Sequence, residues 1–371
     1  MTSHAKTGIK SSTVQTQIEV LHAGFPLSAK LPPNSNNIAV KQYHPDFEKI
    51  TGSESRFSLL LSSDDSSRNP LFRNGCVYVP QRDELYAMSG LLQSTNSSAL
   101  PTILISQVSL QREPDNPLQP ICAVGWMKLR PPQSMPMPAG ACLFKDGILY
   151  CSQGTLASDT GGLWYMAWRK APAPLLVGYF RKPFNSIQNV VQDREGGLWF
   201  TDASAGFELD IRPKPKLPNQ VYRVDGNGGN VRVVADGFGR PTGITLSPDE
   251  STLYVTDTDA NRPDGSTDPT RAATIYAFDI IQRSGSYFLI NRRLFAYAID
   301  GVPMAVACDD SGNVYAACGD GVEVWSPGGV VLGLIEVPGG CTSLCFGRKG
   351  ELFIGAGQRL WVFRLTQQES T

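Results

Sequence analysis

One short phrase recurs six times between Arg73 and Gly357: an apolar strand, a polar turn with Asp or Gly, and a second strand carrying an aromatic residue. The instances are RNGCVYVP, LFKDGILYCSQG, VVQDREGGLWFTD, ITLSPDESTLYVTD, VACDDSGNVYAAC and LCFGRKGELFIGAG, with aromatics at Tyr78, Tyr150, Trp199, Tyr254, Tyr315 and Phe353. A β-hairpin recurring every roughly 40 to 70 residues cannot bury both its faces alone, so its copies must stack around an axis. Six hairpins predict an all-β chain folded as a six-bladed β-propeller.

The repeat runs through most of the 371 residues, which argues for one closed unit instead of the two or three domains that length alone allows. A hydrophobic share of 41% suffices for a core, and 36 Gly with 27 Pro suits many tight turns. Lys plus Arg, at 33, balances Asp plus Glu, at 34, and no basic face stands out, so nucleic-acid binding has no electrostatic footing. No apolar run is long enough for a membrane span, and the start, MTSHAKTGIKSSTVQTQIEV, lacks the apolar core of a secretion signal. The expectation is a cytoplasmic protein. Its eight cysteines lie mostly in or beside predicted strands, where a thiol acts as a small apolar side chain, and their spacing does not resemble a zinc site.

Residues 1–50 lack the repeat and read as a partly irregular N-terminal extension, and residues 51–371 read as the propeller. Within the latter, FSLLL at 57–61 is too short for a helix and apolar enough for a buried strand. Its expected partner is RLWVFRL at 359–365, a pairing that closes the ring and removes open sheet edges. In LYVTD, Leu253 and Val255 point one way and Tyr254 and Thr256 the other, so one set is expected to fill the space between blades. Longer connections at 94–100, 113–120, 206–218 and 261–271 are candidates to frame a mouth.

All three histidines, His4, His22 and His44, precede the repeat, so a Ser-His-Asp or Cys-His arrangement would need the extension to lie across that mouth. Asp202 and Asp257 end the LWFTD and LYVTD strands, where capping of turns is the expected role over acid–base work. DGNGG at 225–229 reads as a hairpin turn, not a phosphate cradle.

The segments FNSIQNVVQDREGGLWFTD, RPKPKLPNQVYRVD, ADGFGRPTGITLSPDESTLYVTDT and GVPMAVACDDSGNVYAACGDGVEVWSPGG resemble the senescence-marker-protein/gluconolactonase/luciferin-regenerating family, and its fungal lactonase-like branch most closely. The resemblance implies a six-bladed propeller with a divalent metal on its axis, held by a Glu, an Asn and an Asp and used to hydrolyse lactones. This chain departs at each of those positions. RNGCVYVP puts Asn74 where the family's HEGGVYIP has Glu, RPTGI puts Thr242 where RPNGI has Asn, and GVPMAVA puts Met304 where GVPDGIK has Asp. The family's NDVV becomes Gln188 and Asn189. Two neutral oxygens and a thioether give no charge to offset dehydration of a hard cation, so neither metal nor other cofactor is expected.

Such a neutral mouth suits a mostly hydrophobic guest bearing a carbonyl. The metal-depleted pattern is similar to that of the fungal hetero-Diels–Alderases of tropolonic sesquiterpenoid biosynthesis, which implies tropolone and terpene substrates. On that resemblance Gln188, Thr242 and Asn74 are the candidate catalytic residues, with Gln188 and Asn74 donating hydrogen bonds. Met304, Asn185, Asn189, Phe207 and Arg73 are the candidate substrate-binding residues. A metal-dependent lactonase or esterase and a non-catalytic ligand-binding propeller remain the alternatives, and oligomeric state is not legible.

Overall fold

The computed structural model describes residues 9–19, 30–64, 69–93, 101–114, 119–157, 160–226, 229–348 and 350–366. The connection at 94–100, residues 115–118 and the histidines at positions 4 and 22 lie outside them.

Four separate four-stranded antiparallel meanders, at residues 74–129, 138–176, 187–235 and 241–297, form blades 1 to 4. Blade 5 (residues 305–336) and blade 6 (residues 343–364 with Glu54–Ser62) are joined in one ten-stranded sheet. The innermost strands are Asn74–Val79, Pro138–Phe144, Ile187–Gln192, Pro241–Leu246, Ala305–Cys308 and Ser343–Phe346. Each packs beside the next, and the last packs beside the first, so they form a closed ring. The fold is a β-propeller.

Closure comes from the N-terminal side. Glu54–Ser62, which contains FSLLL, pairs antiparallel with Arg359–Arg364 as the outer strand of blade 6. The extension contributes more structure than its polar composition suggests. Ala39–Gln42 adds a fifth strand to blade 5, and Ser12–Ile18 bridges it to the outer strand of blade 6. Lys41, inside that added strand, meets Glu336 at 2.9 Å with both side chains buried, which explains how a charged residue sits in a core strand. His44 follows the same strand on the outer side of blade 5, where its Nδ1 accepts from the Asp46 amide. It lies four strands away from the axis.

The second strand of each blade is buried on both faces, since each blade is covered by two neighbours. Leu253 and Val255 pack with Trp199 and Val221 of blade 3, whereas Tyr254 packs with Val314 and Ala316 of blade 5. Alternation therefore sorts side chains between two interfaces and not between core and solvent. Trp199, Tyr254, Tyr315 and Phe353 all face the next blade around the ring. Two motif aromatics break this phase. Tyr78 lies on the inner strand of blade 1, and the residue in the repeat's position is Tyr86, on Glu84–Met88. Tyr150 turns back toward blade 1, and Leu149 takes the forward place. Among the described residues no helix is long and apolar enough to cross a membrane.

Candidate active site on the propeller axis

Four of the six inner strands are irregular at the same level. The pairing register shifts between Asn74 and Cys76, Pro138 and Ala141, Ile187 and Asn189, and Pro241 and Ile244. A bulge re-aims a side chain and is common beside active sites. Here the shifted residues meet around one axial cavity of about 200 Å³, lined at its rim by Asn74, Gln188, Asn189, Thr242, Met304 and Thr342. Below them Val191, Ile244, Val306, Leu344 and Phe346 make an apolar shaft. The described lining contains no Asp, Glu, His, Lys or Arg.

The close approach of the strands requires glycine at two of these bulges. Gly75 has a φ of +41°, and a Cβ there would lie 2.5 Å from the Ala139 carbonyl oxygen. A Cβ on Gly140 would lie 2.5 Å from the Gln188 carbonyl oxygen and 2.6 Å from Asn189 Oδ1.

Gln188 Nε2 donates to the Ser186 carbonyl at 2.8 Å and to Ser186 Oγ at 3.0 Å, and Ser186 Oγ donates in turn to Gln153 Oε1 at 3.1 Å. Both amide hydrogens are thus committed to the protein, which corrects the expectation that Gln188 donates to a ligand. What it offers the cavity is the acceptor Oε1. Asn74 is freer: Nδ2 reaches the Ser89 carbonyl at 3.4 Å, leaving a second N–H. Thr242 shares its hydroxyl with Thr258 at 2.7 Å and the Arg240 carbonyl at 3.2 Å, so it stiffens the rim. Met304 lies 4.0 Å from Asn261 Nδ2 and forms a polarisable wall. Asn189 accepts the Val190 amide with its own Oδ1.

Three candidates lie off the axis. Asn185 is buried, its Nδ2 donating to the Leu217 carbonyl at 2.8 Å, and it lines a separate cavity of about 140 Å³ beside Arg212. Its amide ties down the 206–218 connection. Arg73 is exposed, and its carbonyl accepts from Thr342 Oγ1 at 2.6 Å. Phe207 is exposed in a short helical turn, Ala205–Glu208, which follows the strand end at Asp202. Since Asp202 pairs opposite Ile187, that turn stands on the same face as the cavity rim.

The two strand-end aspartates are caps. Asp202 accepts the amides of Asn185 and Ser186 at 3.0 and 2.7 Å, and Asp257 accepts those of Gly239 and Arg240 at 2.8 and 2.7 Å. Burial pushes the Asp202 carboxyl up to about 7, against the pull of its two amide donors. The folded chain therefore holds a proton that the unfolded chain releases near pH 3.8. This contribution is full below that pH and is lost as pH rises through about 7, on the order of 4 kcal/mol in total. Burial raises Asp320 and Glu323 in the same direction. Urea midpoints should accordingly fall as pH rises across this window, with a shallower slope for Asp202→Asn. An equal slope in that variant would show that Asp202 is not the group responsible.

Sequence reading missed the thiols of Cys76 and Cys345, both of which line the cavity. No local signal pairs them: Cys76 stands opposite Ala87 and Cys345 opposite Phe353, so they lie one position apart in their blades and meet only because the ring closes there.

These features define an all-β propeller with a neutral, half-apolar axial cavity. The chain belongs to the SMP-30/gluconolactonase/LRE-like family, whose model matches residues 128–358. It is 31% identical over 192 residues to a gluconolactonase of Zymomonas mobilis, covering 49% of this chain and 51% of that protein. It is 29% identical over 303 residues to the lactonohydrolase oryL of Aspergillus oryzae, covering 76% of this chain and 64% of that one. The chain thus spans about half to two thirds of these relatives' lengths. A solved gluconolactonase from Xanthomonas campestris superimposes with a TM-score of 0.67 at 22% identity, over 92% of this chain and 99% of that one. A calcium-binding regucalcin from Agrobacterium tumefaciens gives 0.54 at 15%, over 81% and 94%.

The donor set does not fit a calcium ion. Ca²⁺ takes roughly six to eight oxygens, carboxylates among them. The rim offers amide and hydroxyl oxygens and a thioether, and no carboxylate lines the cavity. Among the described residues no group of three His, Cys, Asp or Glu is arranged to hold a metal.

Proposed function

We propose that the axial cavity takes a carbonyl-bearing small molecule, as the lactone-directed names of the relatives suggest, and that this chain acts on it without a metal. The observation carrying the proposal is the convergence of Asn74, Gln188, Thr242 and Met304, all uncharged, on one cavity. A pericyclic reaction suits such a site because it needs no base, nucleophile or Lewis acid. Orientation of two partners alone can contribute about 7–11 kcal/mol. The specific reading is an intermolecular hetero-Diels–Alder reaction between a tropolone o-quinone methide and a humulene-type sesquiterpene.

The geometry supports a division of labour. Asn74, with a spare N–H, donates to the carbonyl of the electron-poor ring, and Gln188 Oε1 accepts from its neighbouring hydroxyl. A cavity of about 200 Å³ is smaller than the ~300–1,000 Å³ of drug-sized sites, so it suits one ring, with the terpene lying above the rim on the side of Phe207. Lactone hydrolysis is the second reading, favoured by the relatives' names.

The deciding experiment incubates the purified protein with the quinone-methide precursor and humulenol, and separately with gluconolactone, each with and without EDTA. Cycloadduct formed at equal rates in EDTA supports the pericyclic reading. Lactone turnover abolished by EDTA and restored by Ca²⁺ overturns it. Gln188→Ala is expected to lower kcat/KM about tenfold to a hundredfold, with only a small fall in Tm from its lost bonds to Ser186. Wild-type turnover in that variant would remove Gln188 from the mechanism.

A further inference from the structure

Blades 1 and 6 meet at the seam where the ring closes, and each contributes one cysteine to the same wall of the axial cavity. Cys76 lies on Asn74–Val79 and Cys345 on Ser343–Phe346, with their Sγ atoms 3.1 Å apart. Both are half-buried free cysteines among the residues that line the cavity. Their separation is already sulfur–sulfur contact, so closing it to a bond of about 2.05 Å needs a movement of about 1 Å. The remaining inner-strand cysteines, Cys142 and Cys308, have no such partner among the described residues.

We propose that Cys76 and Cys345 form an oxidisable dithiol site, closing to a disulfide by exchange with a small disulfide, such as oxidised glutathione, presented at the mouth of the axial cavity. One thiolate attacks the small disulfide and expels one thiolate leaving group, giving a mixed disulfide. The second cysteine then loses its proton, attacks the first protein sulfur and expels the other leaving group. Two protein thiols become one disulfide, and one small disulfide becomes two thiols. Burial, and the hydrogen bond that Cys345 donates to Cys76, hold the Cys345 thiol well above its ordinary range, so closure should speed up with rising pH.

The bond would staple blade 6 to blade 1 on the axis, opposite the strand Glu54–Ser62, which ties the same seam from the outside. It joins residues 269 apart, a span over which a crosslink strongly restricts the unfolded chain. It would also replace two polarisable S–H groups of the cavity wall. This inference rests on the seam geometry and holds whatever reaction the cavity performs.

The test treats the full chain with oxidised glutathione, blocks residual thiols and reads intact mass, a non-reducing peptide map and Tm. The expected result is a loss of two hydrogen masses, a crosslink between the Cys76 and Cys345 peptides, and a Tm higher by on the order of 5 °C that dithiothreitol reverses. In Cys345→Ala the mass loss and the Tm rise both vanish. Cys76→Ala gives the same readout should the first variant fold poorly, and the wild-type peptide map decides the matter without either. Eight blocked thiols after oxidation, stable glutathione adducts without a crosslink, or a crosslink between other cysteines would each overturn the proposal.

Discussion

The triple variant Asn74→Glu, Thr242→Asn, Met304→Asp should bind Ca²⁺ with a Kd in roughly the 10⁻⁵ to 10⁻³ M range, whereas the parent chain shows no saturable binding. The three positions already share one rim, so the substitutions place two carboxylates and an amide oxygen around a space that now offers only neutral donors. In EDTA those carboxylates repel each other in a low-dielectric shaft, so the variant should be less stable than the parent. Titration calorimetry, with thermal melts in Ca²⁺ and EDTA, reads both effects. Parent protein that binds one divalent ion as tightly as the variant would show that this rim holds metal through other atoms, and would restore the hydrolytic reading.

The second large effect is expected from the smallest substitution. Gly140→Ala places a methyl group 2.5 Å from the Gln188 carbonyl oxygen and 2.7 Å from the Asn189 Cα, both backbone atoms that cannot swing aside. Blades 2 and 3 must separate at the axis to admit it. A loss of about 3 kcal/mol is expected, read as a lower urea midpoint, with reduced activity in whatever protein still folds. The comparison variant Gly265→Ala sits where a Cβ meets nothing within 4 Å, although its φ of +85° adds strain. It should cost far less, roughly 1 kcal/mol. Since Gly140 has no positive φ, equal costs would mean that the inner strands yield easily and that their approach adds no large penalty at position 140.

The hairpin repeat was legible because a strand–turn–strand unit has local markers: Asp or Gly at the turn, β-branched and aromatic residues beside it. The axial rim was legible for a different reason. Asn74, Gln188, Thr242 and Met304 occupy matching positions in the first, third, fourth and fifth blades, and a ring brings matching positions together. Three features escaped. The strand Ala39–Gln42 has a lysine in its middle, and only the distant Glu336 makes that residue compatible with a core. The hydrogen-bond direction at Gln188 depends on Ser186 and Gln153, one of which comes from the neighbouring blade, so no local pattern announces it. Asn185 looked like part of the mouth because it lies close to Gln188 in sequence. The bulge between Ile187 and Asn189 instead sends Gln188 to the axis, while Asn185 holds the 206–218 connection.

The strands that seal the ring come from opposite ends of the chain: Ser12–Ile18, Ala39–Gln42 and Glu54–Ser62 against Val331–Glu336 and Arg359–Arg364. During synthesis Ala39–Gln42 and Glu54–Ser62 must therefore wait for Val331–Glu336 and Arg359–Arg364 to emerge before the ring can close. Contacts of such long sequence separation slow folding and leave sheet edges available to wrong partners in the interval. The nascent protein should lean on chaperones late in translation, and circular permutants opened between blades 3 and 4 should mature faster than the natural order.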